Sequence, residues 1–143
     1  MFKKILNAGN YPTRINLAIL ILRITIGAFI LTHGLQKMAL LFGSEPVQFA
    51  DPIGVGQYTT LVLAVFTEVV CALLLIVGFG TRIAALLLVI TMAVAVLIVH
   101  QGDEFKNMEL ALVYFSAFLA ISFSGGGRFS IDSLLFKRSL KFQ

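Results

Sequence analysis

Two ionisable side chains lie deep inside stretches that are otherwise apolar: Arg23 within 15–32 and Glu68 within 58–77. A charge at such depth costs roughly 2.5–3.5 kcal/mol on insertion scales, so it is either compensated by a partner or retained for a task. Opposite signs on consecutive segments predict a buried ion pair between Arg23 and Glu68. Such a pair serves either as a clamp that fixes the register of two helices or as a proton carrier or substrate anchor. The protonation state of Glu68 is left open between those readings.

A second set of polar residues gathers at another depth. Counting the helical rise from Asn16, Arg23 lies roughly 10 Å in and His33 roughly 25 Å in. His100, closing the third apolar run, reaches the same level, and Lys37 and Glu109 stand close to it. At 100° per residue, Gly27, Ile30, Gly34 and Lys37 fall within about 40° of Arg23, and His33 within about 80°. This stripe must face protein or water rather than lipid. His33, Lys37, His100 and Glu109 are therefore the predicted ligand-binding residues, suited to hydrogen bonding a quinone or another polar-headed molecule. Histidines capping helix ends, a metal held by both histidines and Glu109, and bis-histidine haem ligation are the competing readings. No local metal-ligand spacing accompanies them and no catalytic residue is assigned. The cofactor stays unknown, with quinone placed ahead of haem or metal.

These residues need helices that cross a membrane to position them. The chain of 143 residues is 59% hydrophobic and 13% charged, against about 25% charged for a soluble domain. One domain, 1–143, is expected. The net charge of +4 comes without a basic patch interleaved with aromatics, so no nucleic-acid partner is implied. Cys71 is the single cysteine, which excludes a disulfide within the chain and any Cys-x-x-Cys quinone reductase chemistry. The basic start has no apolar run of signal-peptide length before Pro12, and no cleavage is expected.

Four apolar runs, at about 15–38, 58–78, 82–100 and 107–124, predict an all-α, transmembrane, antiparallel four-helix bundle. Lys3, Lys4, Arg14, Arg82, Arg128, Lys137, Arg138 and Lys141 fall on one side if all four runs cross. The positive-inside rule then puts both termini in the cytoplasm. The stretch 39–57 carries glycines and prolines and is a long outer connection. The tail, 130–143, mixes apolar and basic residues and reads as an amphipathic segment on the inner leaflet. Residues 2–6 do the same more weakly.

The order and spacing of several short motifs resemble the DoxX family of small four-helix bacterial membrane proteins. They are Arg23-Ile-Thr-Ile-Gly27, His33-Gly34-Leu-Gln-Lys37, Glu68, Gly78-Phe-Gly-Thr81-Arg82, His100, Asn107-x-Glu109, and 125–132 with Asp132 at its end. The likeness covers about 17–135. It implies a multi-pass protein of the bacterial inner membrane with a redox leaning, since the family takes its name from a subunit associated with a thiosulfate-oxidising, quinone-reducing membrane enzyme. The resulting expectation is a subunit or accessory of a quinone-linked redox system that binds a small ligand in the outer half of the bundle. The alternative is a structural or assembly subunit of a larger membrane complex. The bilayer and a membrane-protein partner or second copy are the implied partners. The chain has no dithiol, flavin or nucleotide motif, so any electrons would arrive through a partner or another cofactor, and catalytic activity is left open. Four spans without broken helices or an inverted repeat argue against a solitary transporter.

Overall fold

The computed structural model describes residue 9 and residues 11–140, with side chains as far as residue 135. The expectations for 2–6 and for the basic residues Lys3, Lys4, Lys137, Arg138 and Lys141 lie outside these described residues and side chains. All regular structure described is helical. Four helices are long and apolar enough to cross a bilayer: α1 Thr13–Leu41, α2 Gln57–Val77, α3 Thr81–Val99 and α4 Phe105–Ser124. A fifth, α5 Ile131–Leu140, follows them. Each span matches its predicted run to within a few residues.

Burial is arranged for hydrocarbon. Ile21, Phe29, Leu63, Leu73, Leu86 and Ile90 are exposed, while Arg23, Glu68, Asn16, Thr81 and Asp132 are among the most completely buried side chains. In lipid the apolar faces need no cover and the polar groups must be satisfied within the protein. Between the helices, Ile30, Leu75, Leu88, Phe118 and Ile121 fill a shared core.

Glycines set how closely α1 and α2 approach. A Cβ on Gly34 would stand 2.7 Å from the backbone carbonyl of Glu68, and one on Gly27 would stand 2.7 Å from Ile76. Gly78, at φ +76°, lies against the Arg23 guanidinium. Arg23 is therefore level with the end of α2, whereas Glu68 is level with Gly34. Eleven residues separate Arg23 from Gly34, about 16 Å along the helix.

The overhang of α1 explains the offset. At 29 residues it is about 44 Å long, and the 21 residues of α2 make about 31 Å. The first turns of α1 run past the end of α2 and pack on the link 125–130 instead: Asn16 Oδ1 accepts the Arg128 N–H at 2.7 Å, and its amide donates to the Tyr11 carbonyl at 2.6 Å.

Arg23, 1% exposed, is the staple of this end. Its guanidinium donates to the carbonyls of Gly126, Ile76 and Phe129, the last two at 3.3 and 3.0 Å. Ile76 is in the last turn of α2, where carbonyls have no helical partner and the helix dipole favours a cation. Asp132 acts in the opposite sense on α3. Its carboxylate accepts the Gly80 and Thr81 N–H groups at 2.7 and 2.9 Å and the Thr81 hydroxyl at 2.7 Å. A residue after the fourth span thus caps the N-terminus of the third.

Replacement of Gly34 by alanine is expected to lower stability by about 1–3 kcal/mol, because its Cβ meets backbone that cannot yield. Thermal unfolding in mild detergent checks this, with the exposed Leu35→Ala as control; equal melting temperatures for the two variants would contradict the close approach.

Candidate functional site

The end of the molecule away from Arg23 holds a cavity of about 440 Å³ between the four spans. Its walls are apolar, with Ile30, Leu63, Leu87, Met92, Val99 and Leu110 among them. Phe49, Pro52 and Ile53 reach it from the α1–α2 connection, and His33, Lys37, Thr60, Glu68, His100, Asn107 and Tyr114 supply the polar lining. A volume of several hundred Å³, apolar walls and a few convergent polar groups describe a small-molecule site.

Glu68 pairs with Lys37, not with Arg23. The predicted Arg23–Glu68 ion pair is corrected by the register: Arg23 is one end of a polar knot and Glu68 is part of the cavity, separated by the overhang of α1. Lys37 lies on the same stripe as Arg23, four turns further on, and meets the carboxylate there. Glu68, 1% exposed, binds Lys37 through Oε1, and its Oε2 has no hydrogen-bond partner in the protein. Leaving such an acceptor unpaired costs about 1–3 kcal/mol, more for a charged one.

Local helix geometry aims Glu68. Residues Phe66–Cys71 form a π-helical turn within α2, and Ala95–Val99 form another at the end of α3. A π turn inserts an extra residue and rotates the side chains that follow, and such turns recur at functional sites. Thr67 on the first turn receives a hydrogen bond from Thr91 of α3 at 3.0 Å, and both threonines line the cavity. This link holds α2 to α3 where the ladder of α2 is perturbed.

Of the other predicted residues, His33 and His100 line the same cavity. The His33 ring meets Tyr114 edge-on, centroids 5.9 Å apart at 86°. The His100 Nδ1 stands 2.9 Å from Asp103 Oδ2. Glu109 is not brought in. It is exposed, because Asn107, Leu110, Ala111 and Tyr114 are the α4 residues facing the cavity, and position 109 falls on another side of the helix. Asn107 takes its level. The sequence analysis did not single out Tyr114, Thr67, Thr91 or Asp51. Isolated hydroxyls within apolar runs were the available signal. Among the described residues no three His, Cys, Asp or Glu side chains gather as a metal site would need.

Asp51 holds the roof. Its carboxylate accepts the Thr60 hydroxyl at 2.8 Å and the Gly56 and Val55 N–H groups at 2.8 and 3.0 Å. It thereby ties the first turn of α2 to the turn bearing Pro52 and Ile53. The Thr60 hydrogen bond, then those of Gly56, Val55 and Gly54, keep Asp51 below the usual carboxylate range against an opposing effect of burial.

Helical spans with lipid-facing apolar surfaces and buried polar groups define a multi-pass membrane protein. The DoxX family model matches residues 18–101, and the chain belongs to the DoxX family. It is 34% identical over 124 residues to an uncharacterized protein of Haemophilus influenzae (strain Rd), covering 82% of this chain and 90% of that one. It is 27% identical over 119 residues to the Bacillus subtilis (strain 168) "Putative oxidoreductase CatD", covering 82% of this chain and 87% of that one. No solved structure matches.

A depressed Asp51 contributes stability that is complete above its unfolded pKa and lost as pH falls through the folded value. The roof is therefore expected to stay closed at neutral pH and to loosen only below the ordinary aspartate range, about pH 4. Hydrogen exchange at Gly56, corrected for its intrinsic pH dependence, should accelerate there in the wild type and lack that step in Asp51→Asn. The same profile in both would contradict the assignment.

Proposed function

We propose that this protein is an antiparallel four-helix bundle of the bacterial inner membrane, with both termini cytoplasmic, that binds a small amphipathic ligand of the quinone class as an accessory of a membrane redox system. One observation carries the reading: a largely apolar cavity converges on the Lys37–Glu68 pair, beside His33 and Tyr114. The stepping of α2 residues Gly78, Ile76 and Glu68 past Arg23, Gly27 and Gly34 supports the antiparallel arrangement. The oxidoreductase in the name of the Bacillus relative supports the redox leaning.

The donor set suits a quinone head. Lys37 and the Tyr114 hydroxyl donate, His33 donates from one ring nitrogen, and the apolar walls match a ring with a hydrocarbon tail. When bound, such a group supplies two-electron, two-proton chemistry. The chain's residues bind and orient the head and keep it from bulk water. Electrons are supplied by a partner, since the cavity residues carry no redox group of their own. Lys37 and His33 project from one helix, so the head would be gripped by α1 and its tail directed between spans toward lipid.

A short-chain quinone at saturation is expected to raise the melting temperature of the detergent-purified protein, by linkage of about 2.7 kcal/mol at a hundredfold excess over Kd. His33→Ala should reduce the shift. No shift in the wild type at saturating ligand would sink the reading and turn weight to an assembly subunit, which should instead co-purify with a fixed membrane partner and keep working in His33→Ala.

A further inference from the structure

The polar wall of the cavity is asymmetric. Lys37 occupies Oε1 of Glu68, and the buried Oε2 receives no hydrogen bond from the protein. Glu68 lines the cavity and is carried on the π-helical turn Phe66–Cys71. A carboxylate engaged in an ion pair accepts hydrogen bonds and donates none. A molecule that completes this wall must bring a hydrogen of its own. An oxidised quinone presents only carbonyl acceptors at its ring, whereas the reduced form presents hydroxyls.

From this asymmetry we infer that the cavity distinguishes the redox state of its ligand, taking a hydroxyl-bearing, hydroquinone-type head in preference to the quinone, with Glu68 as the residue that decides. The inference rests on the cavity-ligand reading above and narrows it to one form of the head group. Lys37 and His33 do not make this distinction. Lys37 donates to a ring oxygen in either form, and His33 changes role with its tautomer. Among the described residues, Glu68 Oε2 is the buried side-chain acceptor left without a hydrogen-bond partner.

Reaching the ligand asks little of the backbone. The terminal torsion of a glutamate is broad and roughly two-fold, so the carboxylate can turn one oxygen to the cavity while the other keeps Lys37. Thr67 and Thr91 are already committed to each other and to helix carbonyls, leaving Glu68 as the acceptor to be met. A site built around a required hydrogen bond rejects an analogue that cannot make it far more strongly than a site that merely fits shape.

Anaerobic equilibrium dialysis of the full chain in mild detergent tests this with three probes: an alkylated benzohydroquinone, the matching quinone, and the hydroquinone dimethyl ether, which keeps both oxygens but donates nothing. The hydroquinone is expected to bind about tenfold or more tighter than either analogue. In Glu68→Gln, whose amide donates as well as accepts, that preference should shrink to about threefold or less. Equal affinities of the three probes in the wild type, or an undiminished preference in Glu68→Gln, overturns the redox-state inference and leaves the cavity reading standing. Binding of none of the three removes the cavity reading and this inference together. The wild-type comparison decides by itself if Glu68→Gln does not fold.

Discussion

The Lys37–Glu68 pair joins α1 to α2 at the level where Gly34 lets their backbones touch, and the rest of the cavity end is arranged around it. Hydrocarbon offers no partner to a charge, so a carboxylate at this depth obliges the neighbouring helix to supply a cation. Lys37 does this from a half-buried position, its flexible stem reaching inward. With that demand met locally, Arg23 is free for a different task, and the two ends of the molecule become chemically separate.

At the Arg23 end the work is architectural. Spans two and three are tied to the segment after span four by a guanidinium shared between the helix carbonyl of Ile76 and the link carbonyls of Gly126 and Phe129, and by a carboxylate on the N–H groups that open α3. Both contacts follow helix-dipole preference, and both are sealed from solvent. A rigid base of this kind lets the opposite end depart from regular helix. The π turns at Phe66–Cys71 and Ala95–Val99 both belong to that end, and both border the cavity.

Much of this was legible in the sequence. The four spans follow from apolar length, and the polar stripe of Arg23, Gly27, Gly34 and Lys37 from helical angle. The convergence of His33, Lys37 and His100 follows from depth counted along each span. What failed was register. Depth was counted as though every span began at one plane, but α1 overhangs α2, and that displaced Arg23 from Glu68. Lys37, on the same stripe, was the better partner. Glu109 failed on angle, since the inward face of α4 is fixed by packing and not by the polarity of one residue. The role of Asp132 as a cap on a helix 51 residues away has no local sequence signature. The DoxX motifs 78–82 and 125–132 pointed to those positions without saying that they hold each other.

The most direct measurement of the account is a pair of double-mutant cycles on unfolding free energy in mild detergent, one for Lys37 and Glu68 and one for Arg23 and Glu68, each residue replaced by methionine. A coupling of about 1 kcal/mol or more is expected for Lys37 with Glu68, with near-additive effects for Arg23 with Glu68. Strong coupling of Arg23 to Glu68, with Lys37 additive, would contradict it.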